Sequence, residues 1–81
     1  LACELSLPSS RVGSFDTELC EEFLNAFVSN AGITLHVRQI SGKNTHHIIE
    51  GVFKALARSL KAACAVDAAA ANDIPSTKGM L

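Results

Sequence analysis

Neither sign of charge is in excess in these 81 residues: seven lysines and arginines face eight aspartates and glutamates, for a formal net charge of −1. The basic field that nucleic acid or an anionic membrane surface would require is missing, so neither is expected as a partner. No apolar run approaches the roughly 20 residues that span a bilayer. No basic segment followed by a long apolar core opens the chain, so it reads as soluble, untargeted and cytoplasmic. Cys3, Cys20 and Cys64 are odd in number and lack CxxC spacing, which argues against a disulfide framework and against a zinc cage. They read as reduced thiols acting as small apolar side chains.

What is present suits a packed core: 48% of the residues are hydrophobic and 19% charged, a globular rather than a disordered balance. The length allows one small domain. A chain this short buries only about 60 to 65% of the surface that its unfolded form exposes, so its stability alone is expected to be marginal. The first residue is Leu1 and a strand pattern is already under way there. We therefore expect the chain to be part of a longer polypeptide.

Residues 2–8 alternate, with Ala2, Glu4 and Ser6 on one face and Cys3, Leu5 and Leu7 on the other, and Pro8 ends the run. That predicts a half-buried strand. A connection with a short extended piece near Val12 follows, and Ser14 or Asp16 can cap a helix. Across residues 17–30, Leu19, Cys20, Phe23, Leu24, Phe27 and Val28 recur at helical spacing. Glu18, Glu21 and Glu22 lie in the first turns, where the helix dipole favours acids, and Gly32 supplies a stop. Residues 33–40 predict a second strand, with Ile33, Leu35 and Val37 opposite Thr34, His36 and Arg38. A second helix is expected from Asn44 or Thr45 to about Cys64, burying Ile49, Val52, Phe53, Leu56, Leu60 and Ala63. Residues 66–81 predict a loop or extended tail. The order strand, helix, strand, helix points to an α+β layer, a small sheet with two helices on one face.

The chemistry concentrates in "THHIIEGVFK", residues 45–54. Successive helical positions turn by about 100°, so His46, Glu50 and Lys54 line up one turn apart while His47 points to an adjacent face. His46 with Glu50 can chelate one ion, and His47 suits a second. The spacing therefore predicts two metals, or one metal with a free base. Ions that favour imidazole and carboxylate usually take about six ligands, so the others must come from elsewhere. Lys54 sits where it could hold an anionic group, and Ser76, Thr77 and Lys78 in "STKG" resemble a phosphate cradle. Composition alone reads the same residues more plainly: exposed histidines near a helix cap, a solvated lysine, an ordinary turn at "PSTKG", and a strand-surface His36.

In order along the chain, "VGSFDTELCEEF", "AGITLHVRQISGKNTHHIIEGVFKALARSL" and "IPSTKGML" closely resemble the C-terminal half of the imidazoleglycerol-phosphate dehydratase family. The resemblance covers essentially all 81 residues. It implies a duplicated fold, ribosomal protein S5 domain 2-like, in which residues 1–81 form one half-domain with a small mixed β-sheet and its two helices on one face. It implies Mn2+, two ions in each composite site, within a homo-oligomeric 24-mer. His46, His47 and Glu50 then resemble metal ligands, the two histidines serving different ions. Glu22 stands where many members have histidine and others glutamate, so it joins the implied ligands. Lys54, Ser76, Thr77 and Lys78 resemble substrate-binding residues, together with His46.

The implied reaction is loss of water from imidazole glycerol phosphate to give imidazole acetol phosphate in histidine biosynthesis, a hydro-lyase step. Metal bound to the substrate's imidazole would let the ring accept electrons as a proton leaves an unactivated carbon. The family's first HHxxE motif, an earlier histidine ligand, the phosphate-contacting arginines and the candidate proton-moving carboxylate belong to an N-terminal half missing from these residues. No catalytic residue is assigned here, and the chain alone is expected to be inactive. Two rival readings remain: a non-catalytic metal-binding or assembly half-domain pairing through its sheet edge, and a nucleic-acid-binding α+β domain, which lacks a basic face.

Overall fold

A computed structural model describes residues 1–65. The tail expected at residues 66–81, with Ser76, Thr77 and Lys78, lies outside the described residues. Six elements follow in order: β1 (Ala2–Glu4), β2 (Arg11–Val12), β3 (Phe15–Asp16), α1 (Glu18–Ala31), β4 (His36–Arg38) and α2 (Thr45–Ala63). The chain is α+β.

β1 and β4 run parallel, with Cys3 opposite Val37 and Glu4 opposite Arg38. Alternation along both strands puts Cys3, Leu5, Leu35 and Val37 toward the helices, half-buried, and leaves Ala2, Glu4, His36 and Arg38 exposed. Pairing is shorter than the sequence pattern suggests, because the backbone ladder ends where the Gln39 amide donates to the Glu4 carbonyl at 3.0 Å. Past that point the Ser6 amide donates to the Gln39 side-chain oxygen at 2.8 Å instead. β2 and β3 form a separate antiparallel hairpin, Val12 opposite Phe15. The described residues therefore carry two two-stranded sheets, where one small mixed sheet was expected.

α1 begins after Thr17, its first amide accepted by the Asp16 carboxylate at 3.0 Å. Glu18 and Glu21 occupy the first turn, where their charge opposes the positive end of the helix dipole. The helix stops at Gly32, whose φ of 65° is the left-handed conformation a glycine adopts without strain. Its amide returns to the Val28 carbonyl at 3.0 Å.

Cys20, Leu24 and Leu56 are the buried centre, surrounded by half-buried Cys3, Leu5, Leu35, Val37, Ile49, Val52, Phe53 and Leu60. Both helices thus meet the same face of the β1–β4 pair. Leu24 is 0% exposed, and a fully buried leucine contributes about 1.5 to 3 kcal/mol relative to leaving it in water. Two expectations fail. Leu19 and Phe23 are 47% and 50% exposed, because the apolar arc of α1 is wider than the strip that the sheet and α2 cover. On α2, Ile48 is buried and Ala63 exposed, because the turn before the helix folds over its start: a Cβ at Gly42 would lie 2.9 Å from the Ile48 side chain.

Burial also separates the cysteines. Cys20 is buried and Cys3 half-buried, and burial pushes both thiols up from their ordinary value, with the Glu21 carboxylate adding to it. Cys64 is exposed, against the expectation that it packs as an apolar residue. No helix among the described residues is long and apolar enough to cross a membrane.

Candidate metal centre

The first turn of α2 is fixed by three short polar side chains. Asn44 occupies the N-cap in extended backbone, and its side-chain oxygen accepts the His47 amide at 3.0 Å, which satisfies one of the helix's free donors. Thr45, the other candidate cap, is buried instead, and its hydroxyl accepts the Ser9 amide at 3.0 Å. The Ser9 carbonyl in turn accepts the buried Thr17 hydroxyl at 2.8 Å. One residue of the β1–β2 connection therefore ties the starts of both helices together. Sequence reasoning missed Ser9 and Thr17, because the contacts cross 36 and 8 residues and no local pattern encodes them.

On this fixed turn His46, Glu50 and Lys54 stand in line, all exposed. His46 Nε2 lies 3.4 Å from Glu50 Oε2, and Lys54 Nζ lies 2.8 Å from Glu50 Oε1. The hydrogen bond from Lys54 and then its charge hold the Glu50 carboxyl below the usual carboxylate range. Slight desolvation acts the other way, and His46 and His47 add smaller downward pulls. The same bond raises the Lys54 ammonium. Both groups are solvated, so the pair adds little to stability; its chemical effect is to keep an ionised carboxylate aimed beside an imidazole.

His47 diverges, as the helical rotation requires. Its ring stands 5.8 Å from that of His46 at an interplanar angle of 88°. It lines a different feature, an open groove of about 390 Å³ between α2 and the edge of β4, walled by Gln39, Gly42, Gly51, Ala55 and Ser59. Small residues at positions 51, 55 and 59 repeat every helical turn, a signal visible in the sequence that leaves the groove open. Glu22 lies elsewhere again, on α1 in a shallow apolar hollow with Phe15, Leu19, Cys20, Phe23 and Phe53. Lys54, though exposed, is hydrogen-bonded to Glu50. His36 is exposed on β4.

Among the described residues no three His, Cys, Asp or Glu side chains converge as a metal-holding group. The pair His46–Glu50 nevertheless fits part of one. Neighbouring donors on an octahedral ion bonded at about 2.1 Å lie roughly 3 Å apart, close to the 3.4 Å seen. An imidazole and a carboxylate also suit ions of the manganese type. His47 and Glu22 each point elsewhere and stand beside neither His46 nor Glu50 as a third donor.

The sequence model of the imidazoleglycerol-phosphate dehydratase family matches residues 1–60. An imidazoleglycerol-phosphate dehydratase of Prochlorococcus marinus (strain NATL1A) is 53% identical over 81 residues, all of this chain and 40% of that protein. One of Desulforamulus reducens is 58% identical over the same span, 41% of its length. One of Azorhizobium caulinodans is 62% identical over 71 residues, 88% of this chain and 36% of that protein. The chain thus spans well under half the length of these relatives. No solved structure matches it.

Proposed function

This chain belongs to the imidazoleglycerol-phosphate dehydratase family, and on that footing we propose that it supplies one part of a composite dehydratase site. The substrate is imidazole glycerol phosphate, which loses water to give imidazole acetol phosphate in histidine biosynthesis. The observation that carries the reading is the pairing of His46 with Glu50 beside a divergent His47 on one capped helix start, in a chain of this family.

His46 and Glu50 would hold one manganese ion; His47 and Glu22 would serve a second, or the same composite site in another subunit. When bound, manganese supplies Lewis-acid polarisation of the substrate's imidazole. The chain's own residues prepare for it. Asn44 and Thr45 hold the first turn of α2 rigid, so the imidazoles are presented without local fraying. Lys54 hydrogen-bonds Glu50 at Oε1 while Oε2 stays beside His46, and its ammonium is placed to meet an anionic part of the substrate. Ser76, Thr77 and Lys78 would bind the phosphate. The remaining ligands and the proton-moving group come from the rest of a duplicated, S5 domain 2-like fold within a large homo-oligomer, so the 81 residues alone are inactive.

The test is complementation. The chain is purified alone and together with a separately expressed N-terminal part of a family member, and each sample is analysed for manganese and for dehydratase activity. Activity and bound manganese only in the mixture are expected, both reduced by His46→Ala. No manganese in either sample, or unchanged stoichiometry in His46→Ala, would overturn the assignment.

A further inference from the structure

We propose that Lys54 exchanges between two partners, the Glu50 carboxylate and an anionic ligand such as a phosphate monoester. Through that exchange, a divalent cation at the His46–Glu50 pair and an anion at Lys54 strengthen each other's binding. The inference rests on the reading of His46 and Glu50 as metal donors, and it adds a coupling that their positions alone do not require. Each oxygen of Glu50 already has its own neighbour: Lys54 Nζ stands 2.8 Å from Oε1, and His46 Nε2 stands 3.4 Å from Oε2. The first is a charge-assisted hydrogen bond of ordinary length; the second is too long to match it in strength.

A cation between His46 and Oε2 shares its carboxylate with an ammonium. Two positive charges then face one negative group on an exposed helix surface, and their repulsion weakens cation binding by about three- to tenfold. Lys54 can leave at little cost, because its side chain is exposed, flexible and part of a solvated pair. Once it leaves, its own helix offers no other carboxylate, since Glu50 is the one acid between Thr45 and Ala63. An anion from outside the helix is the partner that suits it. Drawing the ammonium away from Glu50 favours the cation, and by linkage the cation favours the anion by the same factor. A molecule with an anionic group at one end and a metal-binding group at the other would draw on both effects. The contrasting role, in which Lys54 props the carboxylate in a productive orientation, has the opposite sign: losing Lys54 would then weaken the cation.

The experiment titrates the 81-residue chain with Mn2+ and reads paramagnetic broadening of the His46 ring protons by NMR, because two donors hold an ion too weakly to retain it through purification. Lys54→Gln is expected to tighten Mn2+ binding about three- to tenfold. Arg58→Gln, exposed and two helical turns beyond Glu50, should shift it by less than about twofold, since salt screens charges at that distance. A second titration follows inorganic phosphate through the Lys54 Cε protons, and Glu50→Gln should tighten phosphate by about threefold or more. All three substitutions lie at exposed positions, so circular dichroism should not change. A Mn2+ midpoint that is unchanged or weaker in Lys54→Gln overturns the proposal. So does a phosphate midpoint indifferent to Glu50→Gln, or an Arg58→Gln effect as large as that of Lys54→Gln, which would reduce the coupling to net helix charge. No broadening at His46 in any variant overturns the metal reading together with the proposal, whereas broadening that ignores Lys54 overturns the proposal and leaves the metal reading standing.

Discussion

Replacing Thr45 by valine keeps the shape of a buried side chain and removes one acceptor. In the folded chain that acceptor receives the Ser9 amide at 3.0 Å, on a threonine only 6% exposed. A buried amide left without a partner costs about 1 to 3 kcal/mol. Ser9 itself is exposed, so water reaches part of its backbone and the low end, about 1 kcal/mol, applies. With a urea slope of about 1 kcal/mol per molar, at the low end of the range for small proteins, the midpoint should fall by about 1 M. Thr17→Val should cost a similar amount, since it removes the donor to the Ser9 carbonyl. The informative quantity is the double variant. If Ser9 is a rigid link between the two helix starts, the losses should depart from additivity by 0.5 kcal/mol or more, as residues in one hydrogen-bond network do. Urea titration of the four proteins followed by circular dichroism measures this. An unchanged midpoint in Thr45→Val, or strict additivity in the pair, would refute the claim that Ser9 positions the start of α2.

Leu24→Ala should cost about 3 to 5 kcal/mol, because its 0% exposed side chain leaves a cavity between sheet and helices. A chain this size has a total stability of only about 4 to 12 kcal/mol, so the variant should lose from about a quarter to all of it, read as a lower urea midpoint. Leu19→Ala under dilute, monomeric conditions should change stability by about 0.5 kcal/mol or less; comparable losses at both positions would refute the burial assignment. Glu50→Gln tests the Lys54 bond through pH. The Glu50 carboxyl is depressed in the folded state, so its contribution is present above the unfolded carboxyl value and lost as pH falls through the lower folded one. The Lys54 ammonium is raised, so its share is present below the unfolded lysine value and lost as pH rises through the folded one. The wild-type and Glu50→Gln stability curves should differ most at neutral pH and merge in acid; a constant offset into strong acid would refute the bond.

Much of the local architecture was legible along the chain. The helical repeat placed both helices within a residue or two, and Gly32 marked the end of α1, since helix stops depend on one residue's backbone freedom. Alternation named the inward faces of β1 and β4 correctly, because strand side chains switch sides at each residue. The line of His46, Glu50 and Lys54, with His47 turned away, followed from helical rotation alone. What failed did so for non-local reasons. Leu19 and Phe23 belong to the apolar arc of α1, yet whether an arc is covered depends on how much sheet and neighbouring helix lies beneath it. Ile48 is buried by the Gly42 turn, a fold-back that periodicity does not carry.

The sequence by itself determined the family, the helix that bears the adjacent histidines, and their angular division, because all three rest on residue identity and short-range geometry. Only the tertiary structure decided that Thr45 holds Ser9 while Asn44 caps, that Glu22 faces an aromatic hollow and not the His46–Glu50 pair, and that the two sheets are separate. Those outcomes depend on which distant segments meet, and hydrogen bonds spanning dozens of residues leave no periodic trace in the chain that makes them.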